Sequence, residues 1–215
     1  MEWFHFTGIT PALGPNVADI CRDACRAAKA RGIKVSCDLK YRGKLWTREQ
    51  AQEAMTDLCQ YVDVCISNEE DAKDVFGIEA EATNIYAGEI NRDGYKSVAK
   101  QLVDRFGFEK VAITLRKSRS ASDNGWSAML YDVKRGDFCF SKKYDLHIID
   151  RVGGGDSFGG GLIYSLLTGK TTQDAVEFAV AASVLKHSVE GDYNMVTLSE
   201  VEKLTGGDGS GRIQR

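Results

Sequence analysis

Short apolar runs alternate with amphipathic stretches along most of this chain, and that alternation predicts its elements. Residues 3–6, Trp-Phe-His-Phe, read as the end of a strand running into Thr7-Gly8. Val17, Ile20, Cys21, Ala24 and Ala28 share one helical face, with Pro15 at a first-turn position and Gly32 where a C-terminal cap belongs. A strand over 33–37 ends at Asp38, a helix follows at 48–59, and Tyr61–Ile66 form another strand ending at Ser67-Asn68. A short helix is expected near 69–76 and an irregular excursion over 77–92. A helix at 94–106 is closed by Gly107, and Val111–Leu115 form a strand. A polar turn covers 117–125, and 126–133 and 138–144 pair as a hairpin across Lys134–Asp137. Helices at about 156–167, 172–187 and 198–204 complete the chain before a glycine-rich tail.

Strands alternating with helices predict an α/β fold with a mostly parallel, doubly wound sheet. One domain over 1–205 with a tail at 206–215 follows from the pattern. Composition agrees: 43% hydrophobic and 27% charged residues are ordinary for a soluble domain. The net charge of −3 carries no basic patch for nucleic acid and no polybasic block for a membrane surface. No apolar run reaches the roughly 18 residues of a membrane span, and the first residues lack a basic signal region. The cytoplasm is the default expectation. Six cysteines include no CxxC pair. Cys21 and Cys25, one helical turn apart, read as buried helix positions better than as a metal face.

Candidate chemistry sits in Asp150-Arg-Val-Gly-Gly-Gly-Asp156, which leads into an apolar helix. A glycine run at a helix start lets backbone N–H groups converge where the helix dipole is positive, and so suits a phosphate. A carboxylate at that mouth, Asp156, would repel a phosphate. It makes sense as a base taking a proton from a substrate hydroxyl that attacks phosphorus. The plainer alternative makes Asp156 a helix N-cap and the glycines a tight turn. The spacing matches neither a Walker A loop nor a dinucleotide GxGxxG.

The stretch Asp-x-x-Gly-x-Gly-Asp-x-Phe resembles the C-terminal signature of the ribokinase-like PfkB carbohydrate kinases. The resemblance implies that Asp156 is the catalytic base and that Gly153, Gly154 and Gly155 form the anion hole; Gly154 stands where the family usually has Ala. Asp38-Leu-Lys-Tyr-Arg42 with Leu45-Trp46 resembles the 2-keto-3-deoxygluconate kinase branch, where the Arg reaches an acidic sugar and its neighbours lie near the phosphates. Asn68-Glu69-Glu70-Asp71 resembles an Asn-x-x-Glu motif that organises Mg²⁺ and phosphate, with Asp71 in place of the Glu. Thr114-Leu-Arg116, the polar stretch through Trp126, and residues 181–194 are similar to the same branch.

The resemblance thus implies substrate contacts from Arg42 and Asp192, and nucleotide contacts from Lys40, Tyr41, Thr114, Arg116, Ser118 and Ser183. It puts Asn68 and Asp71 near the metal. The implied cofactors are ATP and Mg²⁺ and the implied partner is a small sugar acid. Homo-oligomer formation is left open. It also implies that the family's N-terminal part, with its first strands and the β lid over the sugar, is missing. That leaves two further readings: a nucleotide-binding segment without transfer activity, and a kinase for ribose or fructose.

Plainer readings stand beside these. Arg42 would be a solvated arginine, Asn68 a helix N-cap, Asp38 a loop anchor and Asp192 a turn residue. Ala179, Ala182 and Ser183 would be a close-packing helix face, and Trp126 and Tyr131 hairpin packing.

Overall fold

A computed structural model describes residues 1–68, 70–79 and 92–207. They gather into two compact units. The first comprises Met1–Leu115 and Leu130–Phe138, the second Arg116–Met129 and the chain from Cys139 onward.

In the first unit, strands β1 (Trp3–Thr7), β2 (Lys34–Asp38), β3 (Val64–Asn68) and β4 (Lys110–Ser118) lie side by side in that order. All three pairings are parallel, with Thr7 opposite Asp38 and Asn68 opposite Thr114. Parallel pairing needs crossovers, and the helices supply them: α1 (Val17–Lys29), α2 (Arg48–Cys59), α3 (Asp71–Phe76) and α4 (Arg92–Phe106). The inner strands are buried along their length, as Val35, Cys37, Cys65, Ile66, Val111 and Ile113 show. Continuous burial is the mark of strands covered on both faces.

Helix α2 shows how local sequence fixes an element. Thr47 and Gln50 form a reciprocal capping box: the Gln50 N–H donates to Thr47 Oγ1 and the Thr47 N–H to Gln50 Oε1. Such a cap contributes about 1 kcal/mol. Ala51, Met55, Leu58 and Cys59 then face inward with no exposed surface, and Met55 and Leu58 each contribute roughly 1.5–3 kcal/mol by burial. Five thiols, Cys21, Cys25, Cys37, Cys59 and Cys65, are free and buried in this unit. Burial raises those of Cys21, Cys37 and Cys65, and pushes Cys25 up to about 12. These are unreactive core residues, and among the described residues no cluster of His, Cys, Asp or Glu could hold a metal ion.

Strand β5 (Asp123–Asp132) begins in the second unit and ends in the first; β6 (Asp137–Phe140) is its sheet neighbour across a turn at Gly136. In the second unit β5 also pairs antiparallel with β7 (Tyr144–His147). Helices α5 (Gly154–Leu167), α6 (Thr172–Lys186) and α7 (Leu198–Thr205) complete that unit. Gly161 brings α5 against α6: a Cβ there would stand 3.1 Å from Ala179 Cα and 3.2 Å from Ala182 Cβ.

The mostly parallel α/β sheet is as expected, and three local details differ. Pro15 precedes the first helix, which starts at Val17, and a 3₁₀ turn over Thr10–Leu13 comes before it. The polar 117–125 stretch is shorter than expected, because β4 runs to Ser118 and β5 begins at Asp123. Strand β7 was not anticipated. Most of the 77–92 excursion, and the tail from 208, lie outside the described residues. Among those described, no helix is long and apolar enough to cross a membrane.

Candidate active site

In the first unit the candidate residues follow the carboxyl ends of parallel strands, where α/β folds place their ligands. The turn after β1 passes tightly over the segment after β2: the Gly8 N–H donates to the Asp38 carbonyl at 2.8 Å. A Cβ on Gly8 would lie 1.9 Å from the Leu39 carbonyl oxygen. Lys40 then takes a positive φ of 31°, a strained conformation for a residue with a side chain. Its ammonium stands 3.5 Å from Asp38 Oδ2.

Tyr41 joins this segment to the next strand end, its N–H donating to Asp71 Oδ1 at 3.0 Å. Asp71 is buried, and burial pushes its carboxyl up to about 6 against the pull of the Tyr41 N–H and the nearby Arg42. Arg42 is exposed, and its guanidinium donates to the carbonyl of Tyr41 at 3.3 Å. Asn68 behaves as a cap: its Oδ1 accepts the N–H groups of Glu70 and Asp71 at 2.8 and 2.7 Å. That oxygen is therefore committed to the turn. Glu69 lies outside the described residues. Thr114, beside Asn68 in the register, donates to the Ser67 carbonyl at 3.5 Å.

This donor set bears on a divalent cation. With the Asn68 oxygen engaged, it offers no cage of direct ligands. A buried carboxyl raised to about 6 is a group that a nearby cation would hold in its charged form. Asp71 thus fits a hydrated ion held through water.

The second unit carries the glycine turn. Gly153 is the N-cap of α5, with φ 79°, and Asp156 is the third residue of the helix. The capping alternative for Asp156 therefore fails: Gly153 makes the turn, and the Asp156 side chain stays exposed at the helix mouth. The Gly154 N–H donates back to the Arg151 carbonyl at 3.4 Å, and the positive end of the α5 dipole lies at this turn.

Two of the three glycines are required by what lies against them. A Cβ on Gly153 would meet the Asp192 carbonyl oxygen at 2.4 Å, and one on Gly154 the His187 ring at 2.6 Å. The ring is pinned: His187 Nδ1–H donates to the Ser183 carbonyl at 2.6 Å, and its face tilts against Trp126. Burial keeps the His187 imidazole below its ordinary value, helped by the neighbouring Lys186 and Arg151 charges. Ser183 is fully buried and its hydroxyl donates to the Gly154 carbonyl at 2.8 Å, so it acts on a ligand only by holding the turn. Asp150 closes the entry, accepting the N–H groups of Val152 and Gly191 at 2.9 and 2.8 Å.

Arg116 Nε and the Ser118 hydroxyl both donate to Asn124 Oδ1, at 2.8 and 3.1 Å. A cavity of about 440 Å³ opens beside the turn, and both Asp156 and Asp192 line it. Ala182 and Asn194 line it too, while Ala179 is spent on packing against Gly161. Sequence reasoning missed Gly8, Lys186 and His187 as parts of these assemblies. A Thr-Gly at a strand end and a Lys-His pair at the end of an otherwise apolar helix were the available signals.

The chain matches the model of the pfkB family carbohydrate kinases over residues 4–198. It belongs to the PfkB carbohydrate kinase family. The turn at 153–156 lies inside the matched span, and a side chain at its middle position would oblige the His187 ring to move. Among solved PfkB structures, the 2-dehydro-3-deoxygluconokinase of Thermotoga maritima is 47% identical with a TM-score of 0.89, over 96% of this chain and 60% of that one. A PfkB carbohydrate kinase from Listeria grayi is 32% identical with a TM-score of 0.84, over the same shares. The 2-dehydro-3-deoxygalactonokinase of Haloferax volcanii is 29% identical over 206 residues, which is 95% of this chain and 58% of that protein. The chain thus spans about 60% of the length of the relatives it matches.

Proposed function

We propose that this chain carries the catalytic apparatus of an ATP-dependent kinase for a small sugar acid, of the 2-keto-3-deoxygluconate class. The observation that carries the reading is Asp156, an exposed carboxylate in the first turn of α5 on the rim of a cavity. A carboxylate there opposes phosphate binding unless it has a task of its own. It accepts the proton of a substrate hydroxyl as that oxygen attacks the γ-phosphorus of ATP. The bond from phosphorus to the bridging oxygen breaks, and ADP leaves with the electron pair. The N–H groups of 153–156 take up charge on the transferring phosphoryl. The sugar uses the cavity shared by Asp156 and Asp192, its hydroxyls donating to Asp192.

Arg42 pairs with the substrate carboxylate, where its planar fork outperforms a lysine. Asp71 holds a hydrated Mg²⁺, which when bound supplies positive charge at the phosphates. Lys40, Tyr41, Thr114, Arg116 and Ser118 are assigned to the nucleotide. Similarity to gluconate- and galactonate-derived sugar kinases supports the acidic substrate.

The test is ADP release from the purified chain with Mg-ATP, with and without 2-keto-3-deoxygluconate, beside Asp156→Asn. Sugar-dependent release that the variant loses by about 10²–10⁴-fold is expected. Equal rates in the two proteins would sink the base assignment. A folded chain that binds ATP and releases no ADP would leave a nucleotide-binding unit without transfer. With Arg42→Ala, the KM for the sugar acid should rise about 10–100-fold, the loss of a charge-assisted hydrogen bond. An unchanged KM points to a neutral sugar.

A further inference from the structure

Asp192 lines the same cavity as Asp156, yet among the described residues no hydrogen bond or ion pair holds its carboxylate. The backbone on either side therefore sets where that carboxylate stands. Before it, the Gly191 N–H donates to Asp150 Oδ2 at 2.8 Å. At Asp192 itself, the main-chain oxygen packs over Gly153, 2.4 Å from where a Cβ on that residue would stand. After it comes Asn194, whose Nδ2 donates to Ser157 Oγ at 3.0 Å while its Oδ1 accepts the Val196 N–H at 3.0 Å. Ser157 is buried and follows Asp156 directly in α5; its N–H donates to the Gly153 carbonyl at 2.8 Å. One amide side chain thus fastens the stretch that carries Asp192 to the helical turn that carries Asp156.

An asparagine has a plainer use here. An Oδ1 that accepts an N–H two residues on makes an ordinary Asx turn, and that needs only the oxygen. The bond from Nδ2 falls outside that account, because its partner lies 37 positions earlier, in another element. Apolar packing of the adjacent residues does not hold the stretch either: Tyr193 is 76% exposed and Met195 70%. Asn194 and Ser157 both line the cavity, so their bond is part of its wall. An aspartate at 194 would set a third carboxylate beside Asp156 and Asp192. The amide supplies a donor and an acceptor without charge.

We propose that Asn194 is a positioning residue that, through its bond to Ser157, fixes Asp192 across the cavity from Asp156 so that both carboxylates address one substrate. Asp156 takes the proton of the attacking hydroxyl, and Asp192 accepts a hydrogen bond from another hydroxyl of the same molecule. Holding the second group in place raises the share of bound substrate whose reacting oxygen meets the base. The effect on substrate rests on the kinase reading above; the fastening itself does not.

The experiment compares the full chain with Asn194→Ala, Ser157→Ala, the double variant, and Asn194→Ala in an Asp192→Ala background. The readouts are the KM values for 2-keto-3-deoxygluconate and for ATP, and amide exchange over 192–196. Each single variant should raise the sugar KM about tenfold, the loss of one hydrogen bond, and leave the ATP KM unchanged. The double variant should be no worse than either single one. With Asp192 already replaced, Asn194→Ala should change the sugar KM by less than about twofold. Both single variants should lose amide protection over 192–196.

A merely structural role gives another pattern: both KM values rise together, and Asn194→Ala costs as much without Asp192 as with it. Either result would overturn the proposal, as would native protection over 192–196 in the single variants. Should those variants not fold, NMR of the wild type decides. The Asn194 side-chain amide should exchange slowly and show contacts to the Ser157 β protons; a fast-exchanging amide without them refutes the bond. A wild type without sugar-dependent release would count against the kinase reading alone, since exchange and NMR still judge the fastening.

Discussion

The buried titratable groups of the first unit include acids. Asp63 meets Lys29 at 2.6 Å and accepts the Val35 N–H at 2.8 Å, while Asp71 accepts the Tyr41 N–H and has a carboxyl that burial raises to about 6. In the second unit the corresponding groups are bases, Lys186 on carbonyls and His187 held below its ordinary value. The crowding differs as well. The forbidden Cβ at Gly8 strikes main chain, whereas the one at Gly154 strikes a ring. One unit thus buries a carboxyl raised by desolvation, and the other buries basic groups beside its glycine turn.

The sharpest way to break this contrast is substitution at the two glycines. Gly8→Ala forces two backbone segments apart and should destabilise the chain by about 3 kcal/mol, the upper end for overpacking. Denaturant unfolding reads the effect, and a loss under about 1 kcal/mol would show that the segments yield easily. Asp71→Asn comes next. It relieves a buried charge while keeping an acceptor for the Tyr41 N–H. The ligand-free variant should be more stable at pH 7.5 by up to about 3 kcal/mol, the equivalent of a two-unit shift, with no gain at pH 4. Equal stability at both pH values would remove Asp71 from the account.

Gly154→Ala should cost about 1–2 kcal/mol, because a pinned ring yields more readily than a backbone. Most of that loss should vanish in the double variant with His187→Ala, whereas simple additivity would mean that the ring is not the obstacle. The smallest effect is one of pH. The folded Asp71 holds its proton to higher pH than the unfolded chain does, so its contribution to stability falls as pH rises from about 4 to about 6. The folded His187 binds its proton less readily, so its contribution falls as pH drops below the ordinary histidine value of 6.5. Between pH 7.5 and 5.5, amide protection corrected for intrinsic exchange should hold or rise around α3 and fall around α5 and α6. Parallel changes in the two units would refute the contrast.

Regular elements were legible where periodicity and caps agreed. Helix α2 has its observed bounds because Thr47 and Gln50 mark its start and its apolar positions recur on one face. Strand β7 was not read, because its alternation of Tyr144 and Leu146 with Asp145 and His147 covers only four residues directly after Lys142-Lys143. At the candidate site the glycine run and Asp156 could be read from the sequence, but their constraints could not. The ring against Gly154 comes from a residue 33 positions later, and only folding brings it there. Lys186 was hidden for a related reason: a lysine closing a helix reads as a solvated cation favoured by the dipole, yet α6 buries nearly every neighbouring position from Ala175 to Ser183.

The distribution of sulfur gives the molecule a built-in probe of its own opening. Five of the six thiols lie buried in the first unit, and Cys139, in the second, is partly exposed. An alkylating reagent applied under native conditions should mark Cys139 at once and the other five only when the first unit opens. The mass of the labelled chain then counts openings of one unit alone, a clock that runs without disturbing the glycine turn in the other.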